Sequence, residues 1–222
     1  MMHTYDTAAP VTVVLDIPAG SIAITAGDDR QATVEVHPAD DAKGRDVKAA
    51  AQITVGYADG VLRIEAPTAR NQLFGNSGSV AVTVRVPAGS RVEGRAAAAA
   101  LRGEGRLGEV VFDTAQGPIV IAEAAAARIG VAAGDVSIGR LTGPAEITVS
   151  KGDIRIDEAV RGAVVLQAQA GAIEVGVAAG VSATLNAGVS NGRIDNRLKN
   201  DGATELEIHA TTSYGDIVAR SL

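Results

Sequence analysis

No cysteine and no tryptophan occur in this chain of 222 residues, whose aromatic side chains are three tyrosines and two phenylalanines. Without thiols there is no disulfide scaffold, no thiolate zinc site and no cysteine nucleophile. With aromatics at 2%, the core has to be built from Val, Ile, Leu and Ala, which favours a thin and regular one. Basic residues number 20 against 26 acidic ones, a formal charge of -6, so no basic footprint exists for nucleic acid or an anionic membrane surface. No apolar run approaches the roughly 18 residues of a spanning helix. The opening residues MMHTYDTAAP lack the basic and apolar segments of a signal peptide, and the chain is therefore expected to be soluble and cytoplasmic. Charged residues at 21% and hydrophobic ones at 46% argue against disorder, and 26 glycines, well above the average of about 7%, point to a folded, turn-rich globule.

What the chain does have is a repeat. A glycine followed by alternating apolar residues recurs at Gly117, Gly134, Gly152, Gly171, Gly192 and Gly215, with spacings of 17, 18, 19, 21 and 23 residues. At positions seven, five and three before the glycine, sixteen of eighteen residues are apolar, from Val110 and Phe112 through Ile208 and Ala210. Two and four residues after it, eleven of twelve are apolar, the exception being Asn196. A period of two marks strands with one buried face. The two halves are out of phase across the glycine, so the backbone must turn a corner there, a position suited to a residue free to take positive φ. Units of about 20 residues in tandem stack most simply as a β-solenoid, one rung per unit. Upstream, Ala99 lies eighteen residues before Gly117, with Val92, Ala96 and Leu101 at inward positions. The Ala96 to Ala100 segment is either a worn rung or, since Ala is the best helix former, a short helix.

Residues 1–90 read as an antiparallel β region that caps the first rung of a repeat region at 91–222, the whole forming one domain. Strands are expected over 11–17, 21–25, 32–37 and 79–86. Residues 53–66 carry a hairpin signal with Asp59-Gly60 at the turn. Loops are expected at 38–50, with a possible short helix, and at 67–78. The segments IPAGS (17–21) and VPAGS (86–90) suggest related turns closing two strands.

IPAGS, VPAGS and the series TAQGPI, VAAGDV, VSKGDI, AQAGAI, VSNGRI and TSYGDI together resemble a family of bacterial β-strand-repeat proteins of unknown function, provisionally labelled adhesins. The resemblance covers essentially the whole chain and implies a β-solenoid or stacked-strand fold with no catalytic residues. AQAGAI and the Ala-rich 96–100 depart from the family's Ser-Gly-Asp core, so a surface ladder made by those residues would be interrupted.

Little in the chain points to chemistry. Gly103, Gly105 and Gly108 in GEGRLG fit the dinucleotide pattern, with Glu123 twenty residues past the first, but period-two sequence follows where the motif needs a helix. His3, His37 and His209 are scattered and no metal-ligand spacing occurs. Serine-nucleophile, Walker A and calcium-loop patterns are absent. Glu174 and Asp195 are expected in one outward column on adjacent rungs, with Arg155 one rung before Glu174: either a sugar-cleaving carboxylate pair or a surface ion pair. Asn196 is expected at an inward position, bonding to backbone where the core tapers or making a polar contact. No catalytic residue, cofactor or metal is assigned. The expected function is a non-catalytic, adhesin-like interaction module for an unknown protein partner. Alternatives are a structural solenoid that self-associates through an open edge at GDIVARSL, and, lower, a carbohydrate-active enzyme.

Overall fold

A computed structural model describes residues 2–67 and 78–222, so most of the loop expected at 67–78 lies outside the described residues. In chain order its elements are β1 (Met2–Asp6), β2 (Thr12–Gly27), β3 (Gln31–Pro38), α1 (Gly44–Gln52), β4 (Thr54–Ala58), β5 (Val61–Glu65), β6 (Val80–Pro87), β7 (Arg91–Gln116) and β8 (Ile119–Ala133). There follow β9 (Val136–Leu141), β10 (Ala145–Lys151), β11 (Ile154–Ala159), β12 (Gly162–Ala170), β13 (Ile173–Val177), β14 (Ala183–Asn191), β15 (Ile194–Arg197), β16 (Leu206–Tyr214) and β17 (Ile217–Ser221). The strands all join one 17-stranded sheet folded along a line of glycine corners. The result is an all-β solenoid whose rungs each contribute one strand to either side of a shared core.

The apolar columns stack in parallel register. Ala127, Ile129 and Val131 lie beside Ala145, Ile147 and Val149, and these beside Val164, Leu166 and Ala168. Across the corner, Val136 and Ile138 pair with Ile154 and Ile156, which pair with Ile173 and Val175. Neighbouring strands in such a ladder sit about 4.8 Å apart. These side chains are buried, and each Val, Ile or Leu among them contributes roughly 1.5–3 kcal/mol. The two polar inward residues are satisfied, Thr114 donating to the Gln116 carbonyl and Thr212 to that of Gly171, each at 3.0 Å. The repeat glycines carry positive φ, +140° at Gly152 for example. They also pack without room for a side chain: a Cβ on Gly152 would lie 2.2 Å from the Gly134 carbonyl oxygen.

Ala96 to Ala100 is strand within β7, not helix; Ala99 pairs with Gly20 and is buried. The parallel stack also continues upstream of residue 90, for β2 lies on β7 and carries β5 and β6 on its other edge. Antiparallel pairing is confined to the outside of that end, where β4 closes on β5, β3 on β6 and β1 on β3. Asp59 and Gly60 both take positive φ in the β4–β5 turn, the two-residue geometry that an Asp-Gly hairpin favours. Tyr5 and Tyr57, ring centres 5.3 Å apart, plug this end of the core. The loop after β3 holds α1, whose Asp46 is buried and accepts the Ser79 N–H at 3.0 Å.

Two expectations are corrected. IPAGS is no strand-closing turn: Gly20 is a corner inside β2, whereas VPAGS forms a true turn in which buried Ser90 accepts the Val11 N–H and donates to the Pro87 carbonyl. And the chain's last rung is not the end of the stack. β16 pairs with β12 on one side and β14 on the other, and β17 lies between β13 and β15. The rung formed by β14 and β15 is therefore outermost, and the open edge lies there rather than near Asp216 to Leu222.

Candidate functional site

The swapped rung order governs every site expected from the sequence. Glu174 and Asp195 are each in register with Val218, one on either side, so a whole strand separates the two carboxylates. Both are already engaged. Arg155 reaches Glu174 at 3.0 Å and Asp157 at 2.6 Å, while Arg197 holds Asp195 at 2.5 Å. The Asp157 carboxylate, and after it Glu174, keeps the exposed Arg155 guanidinium above the usual arginine range. The hollow between Arg155, Glu174, Val218 and Arg220 has a volume of about 10 Å³, room for at most one water. A solvated ion-pair cluster results, not an acid–base couple flanking a sugar.

Asn196 keeps the inward column, in register with buried Ala219, but is exposed because β15 ends the stack and no rung covers it. Its Oδ1 accepts the Leu198 N–H at 3.0 Å, turning the chain off the end strand. Gly103, Gly105 and Gly108 lie within β7, which continues as strand, so no helix N-terminus is there to receive a pyrophosphate. His209 is exposed on an outward column, as expected. Among the described residues no three His, Asp or Glu side chains gather as a metal site would require. A wider cleft of about 230 Å³ lies between Thr7–Pro10, Gly27–Arg30 and Pro87–Ala88, open to solvent.

The aspartates that follow the corner glycines are structural. Asp135 accepts the N–H of Asp153 at 2.9 Å, Asp153 that of Ala172 at 2.7 Å, and Asp216 that of Arg193 at 2.8 Å. Each carboxylate thus serves a corner amide one rung further on. The ladder breaks at Ala172, where AQAGAI has no carboxylate to offer Asp216.

The outer faces of the solenoid differ in charge. Over most rungs ion pairs between successive rungs cover them: Asp16 with Arg95, Arg91 with Glu109, Arg128 with Glu146, Arg140 with Glu158. Exposed pairs of this kind add little to stability, since water and salt screen them. The outward columns of β12, β16 and β14 are different. Beyond an end row of Ala163, Glu207 and Thr184, in which Glu207 is charged, Val165, His209 and Asn186 form one row, Gln167, Thr211 and Gly188 the next, and Ala170, Tyr214 and Asn191 a third. None of the nine residues in these last three rows carries a formal charge, and Tyr214 is 63% exposed. Each strand's composition was visible in the sequence, but the patch exists only because β16 lies between the other two.

No curated protein matches the chain. Among solved structures, a provisionally labelled adhesin from Bacteroides fragilis aligns over 99% of this chain and 96% of its own, at a TM-score of 0.63 and 15% identity. Another from Parabacteroides distasonis aligns over 98% and 96%, at a TM-score of 0.42 and 14% identity. At these identities the first likeness speaks for the fold alone. Among the described residues no helix is long and apolar enough to cross a membrane. The Toastrack DUF4097 family matches residues 12–221, nearly the whole repeat and its cap, and the chain belongs to that family.

Proposed function

We propose that this protein is a non-catalytic interaction module that docks a protein partner on the outer face of β12, β16 and β14 beyond Glu207, where the rows from Val165, His209 and Asn186 to Ala170, Tyr214 and Asn191 carry no formal charge. The observation that supports this reading is the contrast between that face and the ion-paired surface around it. Binding surfaces are depleted of charge at their centre and enriched in tyrosine, because charges must be desolvated while a rigid aromatic ring gains contact area at little entropic cost. Tyr214 stands on this face with Gln167, Thr211 and His209 beside it, a set of uncharged donors and acceptors that exposes no large apolar patch to water. A parallel ladder fixes their spacing at about 4.8 Å between neighbours within a row. The engaged carboxylates at Glu174 and Asp195 offer no comparable case for an enzyme.

The test is proximity labelling in the native host with the full chain and two variants. Thr211→Arg and Tyr214→Asp place charge on the face without touching the core. A partner labelled by the unmodified chain and lost from both variants, while Arg128→Gln on the ion-paired surface retains it, supports the reading. A partner retained by both face variants overturns it.

A further inference from the structure

The outermost rung is built like an interface left open. The Asn191 carbonyl accepts the Gly215 N–H and the Arg193 carbonyl that of Ile217, so these residues turn their backbone inward. Ser182 likewise turns its carbonyl to the Leu206 N–H, so by the alternation of a strand ladder Leu185, Ala187 and Val189 on β14, and Ile194 and Asn196 on β15, direct N–H and C=O groups off the end of the stack, while the Ala183 N–H is taken by the Lys199 carbonyl. Edges of this kind template pairing unless charge, proline, a bulge or a covering segment blocks them. β14, Ala183–Asn191, contains no charged residue and no proline. The core is uncovered there too. Leu185, Ala187 and Val189 are only half-buried although their counterparts on inner rungs are fully buried, and Ile194 is 44% exposed.

We infer that this edge pairs with the same edge of a second copy across a two-fold axis at Ile194, β15 running antiparallel to its copy. Charge favours a second copy as the occupant and disfavours the register centred on Asp195. β15 and the residue before it read Arg193, Ile194, Asp195, Asn196, Arg197. With Ile194 opposite Ile194 of the second copy, Arg193 faces Asp195 of the second copy and Asp195 faces its Arg193, two attractive cross-strand pairs. A register centred on Asp195 would set Asp195 against itself and Arg193 against Arg197, and like charges directly opposite are destabilising. The favoured register also makes Ile194 a hydrogen-bonded pair with its copy, as its outward backbone groups require. A two-fold interface of this kind is self-complementary and closes at two copies. The opposite end of the solenoid, with its antiparallel strands and the Tyr5–Tyr57 contact, has a different geometry and takes no part. The dimer is independent of the docking face.

Sedimentation equilibrium of the full chain tests this. The expected mass is twice 22.4 kDa, with no larger species as concentration rises. Arg193→Asp and Asp195→Arg each weaken the dimer at least tenfold, and the double variant restores it, because the swapped charges again meet their opposites. Circular dichroism confirms that all variants fold. A monomer at every concentration, a mass that keeps growing past two copies, single variants that dimerise as before, or a double variant that stays monomeric would each overturn the proposal.

Discussion

Gly215 rests directly on Gly171: a Cβ on Gly215 would lie 2.0 Å from the Gly171 carbonyl oxygen, and Gly192 stacks on Gly215 in the same way. These corners combine positive φ with a backbone contact that has no slack. Gly171→Ala and Gly215→Ala should each cost about 3 kcal/mol or more, read as a fall in thermal midpoint of roughly 10 °C. Gly44→Ala, at the open start of α1, should cost nothing measurable.

The aspartate ladder makes a subtler forecast. Asp153→Ala removes the acceptor for the Ala172 N–H at an exposed corner, where water is a partial substitute, and should cost about 1 kcal/mol in urea unfolding. Asp153→Asn keeps an acceptor oxygen and should retain most of that stability. Ala172→Asn, filling the gap in the ladder, should raise stability by a few tenths to about 1 kcal/mol. A loss there would show that Asp216 already has an adequate partner in water.

The two PAGS segments should respond oppositely. Ser90→Ala leaves the Val11 N–H buried without an acceptor, at a cost of about 1–3 kcal/mol. Ser21→Ala, at an exposed position inside β2, should be neutral within about 0.5 kcal/mol.

Phe112 fills a space that Gly94 leaves for it, since a Cβ on Gly94 would lie 2.6 Å from the ring. Phe112→Ala should cost about 3–5 kcal/mol, and Gly94→Ala should be destabilising on its own. Combined with Phe112→Ala, the Gly94→Ala change should lose most of its cost, a coupling visible in a double-mutant cycle.

The rungs were legible because their signal is local: Ile147, Val149, Ile154 and Ile156 alternate across Gly152, and nothing but a corner reconciles the two phases. The Asp59-Gly60 hairpin was legible for the same reason. Rung order was not, because stacking depends on pairing between distant strands whose inward columns are chemically alike. Val164 accepts Ile208 as a neighbour as readily as Leu185. Hence Glu174 and Asp195 were expected one strand apart and are two. Two traces of the exchange were present. Asn196 occupies a column otherwise apolar, as befits a rung with one neighbour, and the interval from Gly192 to Gly215 is the longest of the series, leaving the chain residues 198–205 with which to step back inward.

That backward step sets a schedule for biosynthesis. Domains fold largely as the chain emerges, and each rung up to β13 finds its support already in place. The segment from Ala183 to Arg197 does not, because its strand neighbours among the described residues, β16 and β17, have yet to be translated. Until they arrive, β13 and β12 are a temporary terminus and the segment ahead of them is a tethered, half-apolar arm. Folding that follows the order of synthesis would therefore finish with a wedge rather than a lid, the last-made rung entering between two that precede it.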